Sequence, residues 1–235
     1  MRVGIIQPNY LPWRGYFDFI NQVDLFILLD DVQYTERDWR NRNLIRSSQG
    51  LQWISVPVIH TSRSQLINET RIDYSQKWAD KQLQTLKHSY GKTLYFDKYI
   101  DKLRAILNTE YPSISTLDTE LIAWVCSELD ITTPLVHSSE LHVSGSKTDR
   151  LINILKQVGG TAYLSGPAAK DYLDVDMFRK EKIALEYKTY SYKEYPQLHS
   201  GFVGNVSIID LLFNCGINSG EYLKCELPND VVYDC

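Results

Sequence analysis

The chain has little of what marks several common protein classes. Its four cysteines, Cys126, Cys215, Cys225 and Cys235, include no CxxC pair, and no histidine stands at zinc-finger spacing. This argues against a disulfide framework and against a tightly bound zinc. The five histidines, at 60, 88, 137, 142 and 199, form no HxxxH, HExxH or HxH pair, so no local histidine metal site is expected. No run approaches the roughly 18 apolar residues of a membrane span. The apolar part of the opening MRVGIIQPNY is too short for a signal peptide. Basic charge is in deficit: 25 Lys and Arg against 29 Asp and Glu leave a net charge of −4. A general DNA binder needs a basic face, so none is expected here. Internal repeats and low-complexity stretches are also missing. The 235 residues are enough for one sizeable core, and a cytoplasmic protein is the expectation.

What the chain does have is aromatic side chains, among them 16 tyrosines and 5 tryptophans. It also has apolar runs that alternate with helical patterns. Strands are expected at Arg2 to Ile6, Leu25 to Leu29, Gln52 to Val58, Pro134 to His137, Ala162 to Leu164 and Ile183 to Tyr190. Helices are expected at Gly15 to Gln22, Trp78 to Tyr90, Leu94 to Leu107, Ser115 to Leu129, Thr148 to Val158 and Val206 to Phe213. Ser115 with Asp118 resembles a capping pattern. Two buried strands joined through a helix make a βαβ unit. The expected class is therefore α/β: a mainly parallel sheet flanked by helices, with a helical middle segment. A single domain over 1–217 with a helical insertion at about 76–130 is expected, followed by a patternless tail over 218–235. Ligands of such sheets bind beyond the carboxyl ends of the strands. That rule selects residues 7–16, 30–42, 138–147 and 165–172.

Each of these segments carries chemistry. Gln7, Pro8, Asn9, Tyr10, Trp13 and Tyr16 lie on a proline-stiffened loop between a strand and a helix, and Gly15 there permits close approach. Asp30 and Asp31 follow the second strand. They suit a general base, an acceptor for sugar hydroxyls or a weak magnesium site with a phosphate co-ligand, and equally a helix cap and a salt bridge. Gln33 and Tyr34 add neutral hydrogen-bonding groups. Arg37, Arg40 and Arg42 are interleaved with Trp39, Asn41 and Asn43, a local anion-binding signal in an acidic chain. Lys147, at the start of a helix, can help cradle phosphate, although the P-loop spacing is absent. Ser165, Gly166, Asp171 and Tyr172 form a second turn after a strand, and a binding turn is the preferred reading there. His142 is the best-placed histidine for acid/base work.

These segments together resemble the WbqC-like protein family. The matching pieces are Gln7-Pro8 to Phe17, Leu29 to Tyr34, Trp39 to Asn43, Trp53 to Pro57, Arg150-Leu151, Tyr163 to Gly166, Asp171-Tyr172 and Ser207 to Phe213. The resemblance implies a place in O-antigen or other surface-polysaccharide biosynthesis and transfer of glycine or another acyl group to a sugar. The start of the chain is also similar, more distantly, to pantoate–β-alanine ligases and related nucleotidylyl transferases, and this resemblance implies a nucleotidylyl-transferase-like Rossmann variant. Their HxGH signature is replaced here by Trp13-Arg14-Gly15-Tyr16. The expected activity is an acyl or aminoacyl transferase acting on a nucleotide-linked sugar. Gln7, Tyr10, Asp30, Asp31 and Gln33 would hold the acceptor, and one of the two aspartates would take its proton. The co-substrate is left open among an acyl thioester, an aminoacyl-tRNA and ATP. The alternatives are an adenylate-forming ligase or nucleotidylyl transferase, and a non-catalytic sugar-nucleotide-binding partner of a glycosyltransferase. A homodimer is compatible with all three.

Overall fold

The computed structural model describes residues 1–234. In chain order, β1 (Arg2–Ile6) leads through α1 (Arg14–Asn21) to β2 (Leu25–Leu28). Then come β3 (Arg42–Ser47), β4 (Gly50–Ser55), β5 (Val58–Ile59) and β6 (Arg71–Ile72). Three helices follow: α2 (Trp78–Tyr90), α3 (Phe96–Leu107) and α4 (Ile114–Glu128). After β7 (Leu135–His137) come α5 (Ser138–Leu141), α6 (Lys147–Val158), β8 (Ala162–Ser165), α7 (Val175–Lys180) and β9 (Ala184–Tyr187). The described chain closes with α8 (Ile208–Cys215) and β10 (Asp230–Tyr233).

Six strands form one sheet in the order β10-β9-β8-β1-β2-β7. All neighbours are parallel except β10, which runs antiparallel to β9. The expected α/β fold with a mainly parallel sheet is therefore present. Val3 pairs with Leu25 on one side of β1 and with Tyr163 on the other. Strand order reverses between β1 and β8, because the chain adds β2 and β7 on one side and then returns to add β8 and β9 on the other. In open α/β sheets that reversal marks the ligand crevice.

Alternation along the strands supplies both faces of the sheet. Phe26 and Leu28 of β2 pack with α1, α2, α3, α4 and α8, while Ile27 packs on the other face with Val3, Ile5 and α6. Helix α6 ends at Gly159, which has φ of +72°, the left-handed stop expected after Val158.

The strand expected near Gln52 to Val58, with an alternation that suits an antiparallel or edge strand, is present: β4 pairs antiparallel with β3, Leu44 against Trp53, in a hairpin separate from the main sheet. The structure corrects two readings. Helix α4 is capped by Ser113, whose hydroxyl accepts from the Thr116 amide, and not by Ser115. The tail past residue 217 is patterned, since it supplies β10 at the sheet edge. Among the described residues no helix is long and apolar enough to cross a membrane.

Candidate functional site

Strands β1, β2, β7 and β8 all point their carboxyl ends to one edge, so the Gln7 loop and the Asp30-Asp31 turn share it. The loop is tightly specified. The Tyr10 amide donates to the Trp39 carbonyl at 2.9 Å. The Asn43 amide donates to the carbonyls of Tyr10 and Leu11 at 3.1 and 2.8 Å, and the Ser207 hydroxyl donates to Leu11 at 2.8 Å. Leu11 takes φ of +42°, a costly conformation for a buried leucine that these bonds enforce. Gly15 is needed because the Trp13 ring lies over it: an added Cβ would meet that ring at 2.3 Å. The close approach at Gly15 is thus made by the chain's own indole. Arg14 stacks on Tyr192 and Tyr195 and donates to the Lys193 carbonyl at 2.7 Å. Tyr10 and Tyr16 are buried; Tyr10 donates its hydroxyl to Gln82 at 2.7 Å and Tyr16 donates to the Gln7 carbonyl at 3.1 Å. Pro8 is buried and Gln7 half-buried beside them.

Asp30 and Asp31 are neighbours with different surroundings. Asp30 is buried, and its carboxylate accepts from His137 Nδ1 at 2.9 Å, the Ser139 amide at 3.1 Å and the Ser139 hydroxyl at 3.0 Å. Ser138 and Ser115 contribute longer bonds at 3.3 and 3.4 Å. Burial alone would raise the Asp30 carboxyl, but His137 and Ser139 outweigh it and hold it below the ordinary value. The same bond raises His137 above the ordinary imidazole value, against the opposing effect of its burial. Asp31 is held by the Ser138 hydroxyl and the Arg150 guanidinium. With their oxygens engaged in this way, the two carboxylates do not form an open oxygen-ligand set for magnesium. Asp30 acts as the clasp joining β2, β7 and α4.

The three arginines read as one cluster do not converge. Arg40 is buried and reaches Asp38 at 3.4 Å. Arg42 lies over the Trp53 ring at 4.1 Å and donates to the Arg37 carbonyl. Arg37 stands on the exposed turn with φ of +54°. Asn41 and Asn43 serve the backbone: Asn41 donates to the Val56 carbonyl at 2.8 Å. The Ser165 hydroxyl is buried and donates to the Tyr163 hydroxyl at 3.2 Å, so it is not presented as a nucleophile. Gly166 is half-buried, Asp171 is exposed, and His142 stands exposed on the left-handed turn after α5.

A cavity of about 440 Å³ opens at the carboxyl edge. Asp31, Gln33, Lys147, Arg150, Tyr163 and Tyr172 are among its walls. Helix α6 begins there at Lys147, with no side chain capping its first amides. The ammonium of Lys147 has no carboxylate within ion-pair distance among the described residues. A positive helix end and a free ammonium make this wall suited to an anion, while the Arg150 guanidinium is already shared with Asp31. Tyr172 is 66% exposed, which leaves its ring free to stack. Gln33 also lines a neighbouring open cavity of about 610 Å³ with Tyr34, Glu36, His60 and Arg63. There His60 Nδ1 lies 2.6 Å from Glu36 Oε1, while its Nε2 has no partner.

The sequence singles out Lys147, Asp31, Gln33 and Tyr172 as site residues and Arg150 only within a family-matching piece; His137, Ser138, Ser139 and the Glu36–His60 pair are not among its candidates. The strand-end rule pointed at 138–147, and the Ser138-Ser139 pair after a strand was the available signal. No local spacing connects Glu36 with His60; loop packing alone does.

No solved structure matches the chain significantly. An uncharacterized protein of Mycobacterium tuberculosis (strain ATCC 25618 / H37Rv), Rv1507c, is 44% identical over 226 residues, covering 95% of this chain and 97% of that protein. The model of the WbqC-like protein family matches residues 7–222, from the Gln7 loop through the cationic wall to the turn after α8. By that match and that relative, the chain belongs to the WbqC-like protein family.

Proposed function

We propose that the protein is a transferase that adds an acyl or aminoacyl group, such as glycyl, to a nucleotide-linked sugar in surface-polysaccharide biosynthesis. One observation carries the reading: the cavity at the strand-order reversal, where Lys147, Arg150 and the start of α6 face Gln33 and the exposed ring of Tyr172. The cations suit a diphosphate, the ring suits a base, and Gln33 suits a neutral hydroxyl or amide. The two aspartates are poor proton acceptors, because a carboxylate already paired with Arg150 or His137 is a weak base. His60 is no better placed, since its Nε2 is buried. In this scheme the acceptor amine or hydroxyl attacks the acyl carbonyl and the bond to the donor breaks. The donor's leaving group departs with the electron pair and takes up the acceptor's proton.

A second reading, an adenylate-forming ligase or nucleotidylyl transferase, is favoured by the doubly wound strand order. Against it, the start of α1 is occupied by Trp13 and Arg14 is spent on Tyr192, Tyr195 and backbone carbonyls. The test is a thermal-shift titration with uridine diphosphate, other nucleoside diphosphates and their sugar conjugates, on the native protein and Lys147→Ala. A ligand at 100 times its Kd adds about 2.7 kcal/mol of stability. The expected result is stabilisation of the native protein that weakens about tenfold in Kd in the variant. Mass spectrometry of the sugar nucleotide after incubation with glycine and ATP, an acyl thioester or glycyl-tRNA then identifies the donor. Stabilisation by ATP alone, with pyrophosphate release, would favour the second reading; no nucleotide effect would remove the first.

A further inference from the structure

A smaller cavity of about 250 Å³ lies between the β1–α1 loop and the start of β3, lined by Asn9, Pro12, Trp13, Trp39, Asn43 and Asn205. Every one of these side chains is uncharged. Trp39 is 42% exposed, and its ring lies 5.6 Å from that of Trp53. Trp13 is backed by Tyr190 and Tyr192, at 5.0 and 5.9 Å between ring centroids, so this indole wall is fixed. The floor is fixed too, because Asn43 spends its amide on Tyr10 and Leu11 and accepts from the Leu44 amide at 2.8 Å.

Two amides remain unspent. Asn9 Oδ1 is buried and has no partner, and Asn205 is exposed with no hydrogen bond inside the described chain. A buried carbonyl oxygen without a donor is costly, and a ligand hydroxyl would satisfy it. The neighbouring guanidiniums do not serve this cavity: Arg42 lies over Trp53 and Arg40 turns to Asp38. The chemistry therefore disfavours a phosphate, and the orphaned amide disfavours a purely apolar guest. A neutral ring with one C–H face and several hydroxyls answers both: its C–H face packs on an indole and its hydroxyls meet the amides.

We propose that this cavity is a monosaccharide subsite, with Trp13 and Trp39 as its platform and Asn9 and Asn205 as its hydroxyl readers. The assignment rests on the sugar-acceptor reading above and supplies the neutral end of the substrate that the cationic cavity leaves unread.

The test is titration with the methyl glycosides of glucose, galactose, N-acetylglucosamine and rhamnose, followed by tryptophan fluorescence and saturation-transfer NMR. Native protein is compared with Trp39→Ala, Asn9→Ala and Lys147→Ala. Trp39 is exposed, so its replacement leaves the fold intact, and circular dichroism checks this. The expected result is binding of at least one glycoside, weakened about tenfold or more by Trp39→Ala and by Asn9→Ala and unchanged by Lys147→Ala. No glycoside binding to the native protein, or equal affinity in Trp39→Ala, overturns the subsite. Loss in Lys147→Ala with Trp39→Ala unaffected also overturns it, by moving the sugar to the cationic cavity. Uridine diphosphate is titrated in parallel. Its failure to bind with glycoside binding intact removes the anion reading and keeps the subsite; the converse result removes the subsite alone.

Discussion

Asp30 illustrates how far one residue's type constrains its role. An aspartate after a parallel strand is chemically able to be a base, a ligand or a clasp, and its neighbours decide. Here the donors on Asp30 come from β7, α4 and α5, segments at least 85 positions away in sequence, as Ser115 and His137 show. No local pattern could reveal them. Two expectations follow. Replacing Asp30 by Asn puts an amide against donors that need an acceptor, and leaves His137 without its counter-charge. The cost is about 3 kcal/mol by urea denaturation, and a loss below about 1 kcal/mol would contradict the clasp. The pair also sets a pH window. His137 is raised in the folded state, so its contribution is complete below the ordinary value of 6.5 and fades as pH climbs through the raised value. Asp30 is lowered, so its contribution is complete above the ordinary 3.8 and is lost as pH falls through the depressed value. The pair's stabilisation is therefore greatest between about pH 4 and 6.5. Urea midpoints measured from pH 5 to 8 on native protein and His137→Gln should converge as pH rises; a constant gap would refute the window.

At the scale of elements, the apolar runs of β1 and β2 and the helical spacing of α2 are plain in the sequence, because burial imposes a period that residues must obey. One half of the β3–β4 hairpin was hidden: β4 falls largely within the expected Gln52 to Val58 strand, but β3 does not show. β3 begins in the arginine- and asparagine-rich stretch and faces solvent on one side, so it offers composition rather than periodicity. Asn43 belongs to this missed element and looked like a ligand contact, yet it is the peg on which the Gln7 loop hangs. In Asn43→Ala the carbonyls of Tyr10 and Leu11 lose a donor and the Leu44 amide loses its acceptor. The expected loss is about 2–3 kcal/mol. Because the loop forms a wall of the small neutral cavity, faster proteolysis within residues 7–16 should accompany it. Native-like stability with native-like protection would show that the loop holds its shape without the peg.

For the whole molecule, the parallel sheet was legible because each strand carries its own signal, whereas the contacts that bind the sheet to its outer layers were not. Lys188, just past β9, is fully buried and lies 2.7 Å from Asp18 on α1. The Tyr192 hydroxyl donates to the same carboxylate at 2.7 Å, and burial and that bond push the Tyr192 phenol far above its ordinary value. A lysine after a strand gives no sequence sign of such a role. Lys188→Met leaves Asp18 buried without its counter-charge and should cost about 3–5 kcal/mol. Adding Asp18→Leu should recover a large part of that loss, and additive effects of the two changes would refute the coupling.

The position of β1 also has a consequence for how the chain is made. Its partners β2 and β8 lie on either side of it, but β2 follows within two dozen residues whereas β8 waits until residue 162. During synthesis β1 and β2 can associate early, and β7 joins them later. One flank of β1 stays bare until β8, at Ala162–Ser165, has left the ribosome. Contacts this distant in sequence slow folding, since a long loop must close before they form. The anion cavity takes walls from both sides of that late junction, Asp31 from one and Tyr163 from the other. On the proposed reading, a nascent chain has no ligand to hold until β8 has joined β1, so any nucleotide affinity should appear only after that step.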